Sequence, residues 1–450
     1  MLRTSIYNVA AALPLTSIGP SRLQQIALGI KASGKLLIRL AAGSRQDLLA
    51  KSFRSALRGK QGDRFLDVYF DGILARHPSS LKLEVVNSTA FNQQAAQALR
   101  PAELDAYAFT FWGVVLGRLF PRKEAWDFCN RVSAALQHEV GIEVGATFMM
   151  RRLSALYWES RLYALLLARV RPRVVMVADT SEYALRRACA VRNIPFVEMQ
   201  HGVFDADHPD AVPAWVQGTT QELLLPDVLA CYGQFWIDRL AGTRQSSHHI
   251  VAVGNDWVDR FRAIAAQHHP PGIVRLLFTS QGMNTKAAVA WLADALAHVP
   301  EGVTASLTIK LHPAYLADAD AFSTLVQQFG AKIVAGGDLP NVWDLLSQTD
   351  LHLSISSACH FDAVALGVPT VVMPLPGQHL MARAIDQRSI FKAGSPSDIW
   401  SVLARDNCRA GVQPERFVAP GFLDNVDRLI KTISDPSRRS DMLQAVGEPQ

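Results

Sequence analysis

Cysteine is scarce and never clustered. Five thiols (Cys129, Cys189, Cys231, Cys359, Cys408) are spread over 450 residues. No two stand at the spacing of a zinc knuckle or a redox pair, which points to reduced, mostly buried thiols of a cytosolic protein. Long apolar runs are also missing. The greasiest stretch, Ala106–Gly117, reads AYAFTFWGVVLG, shorter than the roughly 18–20 residues that a spanning helix needs. The opening MLRTSIYNVAAALPLTSIGP has one early arginine and is interrupted by Pro14 and Pro20, so it does not read as a secretory leader. There is no short-period repeat or low-complexity tract, and the first 150 residues hold no glycine-rich phosphate loop. What remains is a globular chain, 49% hydrophobic and 19% charged, long enough for two or three domains.

Acid is almost absent from the first 62 residues. Ten cations (Arg3, Arg22, Lys31, Lys35, Arg39, Arg45, Lys51, Arg54, Arg58, Lys60) face one acid, Asp47, a local surplus of nine in a chain whose net charge is +5. In Leu48–Lys60, Leu48, Leu49, Phe53 and Leu57 fall near one helical face with the cations largely opposite. The pattern suits a helix lying on an anionic membrane surface, and equally a solvated basic face.

Metal-site patterns are weak. Asp205-Ala206-Asp207 and Asp318-Ala319-Asp320 match a DxD pattern, yet neither follows an apolar strand directly. The pairs His248-His249 and His268-His269 lack helical i, i+4 spacing and nearby carboxylates. Surface loops explain all four, and no metal is expected.

What the chain does have is an α/β alternation. Helical periodicity dominates the first 150 residues. Beyond Arg171, strand Val174–Asp179, helix SEYALRRACAVR and strand Ile194–Gln200 form a unit that implies parallel pairing. Strand Val228–Cys231 and the run His249–Asn255 follow, then the linker Gln267–Gly272 (QHHPPG), whose prolines and glycine interrupt both helix and strand. A second series succeeds it, with strands at Arg275–Ser280, Ser306–His312, Lys332–Gly336, Asp350–Ser356 and Pro369–Leu375 separated by helices. The expectation is an α/β protein of two Rossmann-like domains, residues 1–266 and 273–450, with parallel sheets facing an interdomain cleft.

The most specific segment is SISSACHFDAVALGVPTVVMPLPG (Ser354–Gly377). A strand ends in Ser356-Ser357 and a helix is expected to start at once, presenting hydroxyls and free N–H groups to a phosphate. Asp362 lies within that helix and Gly367 closes it. Read plainly, Ser356 could be an ordinary N-cap. In IKLHP (Ile309–Pro313), Lys310, His312 and Pro313 stand at the carboxyl end of a strand of the same sheet. There a histidine can donate a hydrogen bond or a positive charge to a phosphate oxygen. In TSQGMNTK (Thr279–Lys286), Ser280 and Gln281 occupy a strand-to-helix turn compatible with phosphate or base contact. In the first domain, strands end in Asp179-Thr180 and Gln200-His201-Gly202. Asp179 or His201 could serve as general base or nucleophile; Asp179 could equally cap the following helix. Gly202 is expected to serve the turn after His201.

The succession VEMQHGV, CYGQFW, VAVGND, IKLHP and SSACHFDAVALGVPT resembles bacterial surface-polysaccharide (capsule and lipopolysaccharide) transferases of the GT-B fold. That group includes enzymes using CMP-Kdo or CMP-sialic acid, and CDP-glycerol transferases. The resemblance covers roughly 174–377. It implies that His312 contacts the CMP phosphate or cytidine and that Ser356 and Ser357 contact the phosphate. It also implies a metal-independent glycosyltransferase with no cofactor beyond its nucleotide-sugar donor; the cysteine pattern points to the cytoplasm, and the basic residues 1–62 are compatible with a peripheral place on the inner face of the plasma membrane. The enzyme's acceptor would be a growing glycan or lipid-linked. Only Asp362 stands where UDP-sugar enzymes often carry a glutamate, which argues against a UDP-sugar. Three alternatives stay open: a CDP-glycerol or CDP-ribitol phosphotransferase, a nucleotide-sugar 2-epimerase of the same fold, and a non-catalytic scaffold of a polysaccharide assembly complex.

Overall fold

The computed structural model describes residues 22–53, 57–85, 96–179, 181–208, 210–247, 249–265, 273–312, 315–335, 340–404, 411–435 and 437. Contacts divide the chain into two units: Met1–Cys231 with Trp236–Val251 and Leu423–Gln450, and Tyr232–Phe235 with Ala252–Phe422. The linker Gln267–Gly272 lies outside the described residues. The helix Asp256–Ala265, which precedes it, groups with the second unit. There Trp257 packs on Trp343 with ring centroids 5.9 Å apart, and Asp259 accepts from the Phe422 N–H at 2.8 Å. From Leu423 onward the C-terminal helix Phe422–Ser434 groups with the first unit, where Arg76 donates to Asp424 and Asp427, each at 2.6 Å.

The first unit contains strands β1 (Leu48–Phe53), β2 (Leu57–Gln61), β3 (Arg64–Asp67), β4 (Ser80–Val85), β5 (Leu104–Asp105), β6 (Val174–Val177), β7 (Phe196–Met199), β8 (Val228–Cys231) and β9 (His249–Ala252). β2 and β3 form a small antiparallel pair. The other seven make one sheet in the order β5-β4-β1-β6-β7-β8-β9, parallel from β5 through β8. The chain starts mid-sheet, winds to one edge, then restarts beside its origin. Loops on either side of that origin therefore leave in opposite directions, opening a crevice between the carboxyl ends of β1 and β6.

The basic segment Leu48–Lys60 is not an amphipathic helix. Its first six residues are β1, hydrogen-bonded between β4 and β6 and almost wholly buried. A short strand covered on both faces has no polar face, so neither a period of 2 nor one of 3.6 marks it. Lys51 is buried within it. Arg54 lies outside the described residues, as does the side chain of Arg58, and exposed Lys60 stands over the Phe65 ring at 4.7 Å. The greasy run Ala106–Gly117 belongs to the helix Tyr107–Leu119. Its Gly113 and Gly117 back onto the helix Ala146–Val170, where an added Cβ would stand 2.8 Å from the Ala155 carbonyl and 2.7 Å from the Ala155 nitrogen. Two glycines four apart let these backbones approach closely, and Phe109 stacks on Tyr163 at 4.0 Å beside them. Among the described residues no helix is long and apolar enough to cross a membrane.

The second unit contains β10 (Ile273–Thr279), β11 (Thr304–Lys310), β12 (Lys332–Val334), β13 (Leu351–Ser354), β14 (Thr370–Val372) and β15 (Ile390–Lys392). Their order, β12-β11-β10-β13-β14-β15, is parallel throughout, the doubly wound dinucleotide-binding order with its reversal between β10 and β13. Helices Thr285–Ala297 and Asp398–Leu403 pack Trp291, Leu292 and Ile399 into a core with Phe278, Ile309, Leu353 and Val371. Two parallel α/β units are the GT-B architecture expected from the sequence.

Candidate functional site

In the second unit, the reversal between β10 and β13 brings Ser280, Gln281 and Ser356 together. The Gln281 side-chain oxygen accepts from the Ser356 N–H at 2.9 Å and lies 3.4 Å from its hydroxyl. Ser280 Oγ accepts from the Gly282 N–H at 3.3 Å, closing the turn after β10. Gly282 is required there twice over: its φ is +70°, and a Cβ would run into the Tyr315 ring. Tyr315 in turn packs on His312, ring centroids 5.4 Å apart, so the β11 and β10 loops are tied together. Asn284 donates to the Pro376 carbonyl at 2.8 Å, fastening the same turn to the loop after β14.

His312 is exposed to solvent on one side, and partial desolvation lowers its pKa below the ordinary imidazole value. At neutral pH it is therefore a neutral hydrogen-bond donor rather than a cation. Pro313 lies outside the described residues. Lys310 points elsewhere, and its ammonium donates to the carbonyls of Ala335 at 2.6 Å and Pro340 at 3.1 Å. The helix after β13 does not start at once. It runs Cys359–Ala365, and Ser357 Oγ accepts from the Cys359 N–H at 3.2 Å, while Ala358 is the cap residue. Ser356 is thus a partner of Gln281 and not an N-cap. Asp362 sits half-buried on that helix.

Beneath this loop cluster lies an arrangement not anticipated from the sequence. Buried His352 and His360 both approach the Thr370 hydroxyl through Nδ1, each at 2.6 Å, and His352 Nε2 lies 3.0 Å from Thr279 Oγ1. Ser354 Oγ donates to the Thr279 carbonyl at 2.8 Å. Burial holds both imidazoles down, His360 to about 3 and His352 well below its usual value, where neighbouring His360 adds to the effect. A histidine inside an apolar strand such as LHLS (β13) was the available signal.

In the first unit, the matching crevice lies at the carboxyl ends of β1, β6 and β7. Asp179, half-buried after β6, accepts from the Ser181 N–H at 3.0 Å. The helix it precedes is Tyr183–Arg192, whose N-cap position is Glu182, so Asp179 closes a turn rather than capping the helix. Half-buried His201 presents its carbonyl to the Tyr69 hydroxyl at 2.9 Å and its ring edge-on to Phe53 at 6.1 Å. Gln200 is buried and donates to the Gly202 carbonyl at 2.8 Å. Gly202 does not adopt a positive φ and an added Cβ would meet open space, so the turn after His201 does not need a glycine.

The strongest electrostatics in this unit fall on residues to which the sequence assigns no buried ionic role, Lys51 reading there as part of an exposed basic face. Lys51, within β1, pairs with Glu182, both buried, and its ammonium lies 5.3 Å from the centre of the Tyr163 ring. Burial works against the Lys51 charge, but the Glu182 carboxylate prevails and raises its pKa. Glu159, which accepts from Thr110 Oγ1 at 3.1 Å, is pushed up by the same burial. On β7, Glu198 pairs with Arg186; burial pushes this carboxyl up to about 7 against the opposing pull of the guanidinium. A lone charge inside LLAKSF or FVEM was the visible sign of both pairs.

Among the described residues no group of three His, Cys, Asp or Glu side chains is placed to hold a metal ion. Asp205 instead caps the Asp207 N–H at 3.0 Å and pairs with Arg239 at 3.4 Å, and Asp318 accepts from Thr285 at 2.9 Å.

No family model matches the chain, and no curated protein matches it. Solved structures do. The chain is similar to UDP-GlcNAc 2-epimerase from Neisseria meningitidis bound to UDP-GlcNAc, at 14% identity, with 85% of this chain and 99% of that chain covered and a TM-score of 0.52. It is similar to UDP-GlcNAc 2-epimerase from Methanocaldococcus jannaschii at 13% identity, with 85% and 99% covered and a TM-score of 0.51. At such identities the likeness is one of fold.

Proposed function

We propose that this protein is a metal-independent glycosyltransferase that takes an acidic sugar such as Kdo or sialic acid from a CMP-activated donor. It passes that sugar to a growing surface glycan or lipid-linked acceptor. The observation that carries the reading is the junction of Gln281 with Ser356 at the reversal between β10 and β13, because ligands of doubly wound sheets bind at that crevice. Around it, Ser280, Ser357 and neutral His312 offer hydroxyl and imidazole donors for a leaving phosphate. Asp179 and His201 at the carboxyl ends of β6 and β7 are the candidates for activating the acceptor hydroxyl. The succession of QHG, HP and SS motifs supports CMP.

A nucleotide titration tests this. CMP should raise the melting temperature and UDP should not. His312→Ala and Ser357→Ala should each weaken CMP binding by about 1.5–3 kcal/mol, the value of a hydrogen bond to a charged group. Asp179→Asn should keep CMP binding and lose transfer. Wild-type CMP affinity in both donor-site variants would sink the assignment. Stabilisation by no nucleotide at all would mark a scaffold.

A second reading, nucleotide-sugar 2-epimerisation, draws on the two epimerases of like fold and on Glu198. A carboxyl held near neutrality can take up and return a proton. Inversion at C2 of UDP-GlcNAc in the absence of any acceptor would establish it and displace the transferase.

A further inference from the structure

We infer that the helix Arg22–Ala42 is a membrane-interface helix that seats the protein on anionic lipid. One face of this helix is already used. Gly29 packs against the Phe111 ring where a Cβ would collide with it, Ala32 and Leu36 are buried, and Ser33 Oγ accepts from Trp112 Nε1 at 2.7 Å. The opposite face is apolar and lies in water. Leu23 is 80% exposed, Ile26 47%, Ile30 61%, Leu37 65% and Ile38 71%. At 100° per residue these five occupy a stripe of roughly 120°, and exposed Ala27, Gly34 and Ala41 fall inside it. The helix is about 31 Å long at 1.5 Å per residue, so the stripe is far more than a stray exposed leucine.

Charge identifies what covers it. The helix sequence RLQQIALGIKASGKLLIRLAA contains no acid. Lys31, Lys35 and Arg39 follow one another at intervals of four, a cationic row along one flank of the stripe. A row of cations beside an apolar stripe, on a helix without an acid, is complementary to anionic headgroups with acyl chains beneath them. The inference is independent of the proposed chemistry, since lipid binding needs no nucleotide.

Flotation with vesicles of phosphatidylcholine and phosphatidylglycerol in equal parts tests it, with pure phosphatidylcholine as the control. The full chain should float with the anionic vesicles, and less as salt is added. Lys31→Gln with Lys35→Gln should lower partitioning about 25-fold, at about fivefold per cation. Ile30→Gln, Leu37→Gln and Ile38→Gln together should abolish flotation while leaving the melting temperature unchanged. Four outcomes would overturn the inference. The wild-type chain could stay in solution, or the triple variant could float as well as wild type. The wild-type chain could be a dimer that the triple variant splits, in which case a second copy covers the stripe. Vesicle binding could require removal of residues 1–21, in which case the start of the chain covers it.

Discussion

The two parallel sheets restart at equivalent places, beside β1 in the first unit and beside β10 in the second, yet the chemistry at the two restarts differs. In the first unit the neighbourhood is ionic and buried, with Lys51 against Glu182 and Glu159 near them. In the second it is neutral and small: Ser280, Gln281, Ser356 and an imidazole whose pKa is lowered. One topology thus supplies both a buried ionic crevice and a field of neutral hydrogen-bonding groups.

Breaking the ionic crevice should have the largest effect. Lys51→Met leaves Glu182 buried without its partner and should cost about 3–5 kcal/mol, read as a fall in the denaturation midpoint. If Lys51→Met is neutral, the pair is solvated and the contrast between the units is lost. The second unit should fail instead through acid. The folded state depresses the pKa of His352 and His360, so their contribution is complete above the ordinary imidazole value of 6.5 and is lost as pH falls below it. For His360 the window runs from 6.5 down to about 3. At one pH unit below 6.5 the loss is about 1.4 kcal/mol per histidine. Melting temperature against pH should show this slope, and His360→Gln should flatten it; an unchanged slope would place the acid sensitivity elsewhere.

Smaller effects sharpen the comparison. Gly117→Leu should strain the contact between helices Tyr107–Leu119 and Ala146–Val170 and cost about 1–3 kcal/mol, seen as lower thermal stability with unaltered nucleotide response. Gln281→Ala removes the neutral contact to Ser356 and should cost only about 0.5–1.5 kcal/mol. Because that residue joins the two loops, CMP affinity should fall more than stability. Equal loss of both would make Gln281 a packing residue alone.

Legibility followed burial pattern. Strand Val228–Cys231 was readable to the residue, and strands β6, β7, β10, β11, β13 and β14 to within a few, since each is a short apolar run bounded by turn residues. β1 and β4 were not readable. Their sequences LLAKSF and SLKLEV contain charges that look like surface until the partners are known: Glu182 for Lys51, and Asp67 and Asp71 for Lys82. The same blindness concealed Glu198 and the two buried histidines.

The order of turn and strand residues along the chain was enough to determine two α/β units and to put Ser280, His312, Ser356 and Asp179 at strand ends, because period and punctuation are local properties. Only the tertiary structure decided that Lys310 holds carbonyls at 335 and 340, that Ser356 is held by Gln281, and that the basic stretch at Leu48 is a central strand. Each of those outcomes depends on partners distant in sequence: 25 and 30 residues away for Lys310, 75 for Ser356, and 131 between Lys51 and Glu182. The free energy of a polar side chain is set by the group that meets it in the fold and not by its neighbours along the chain.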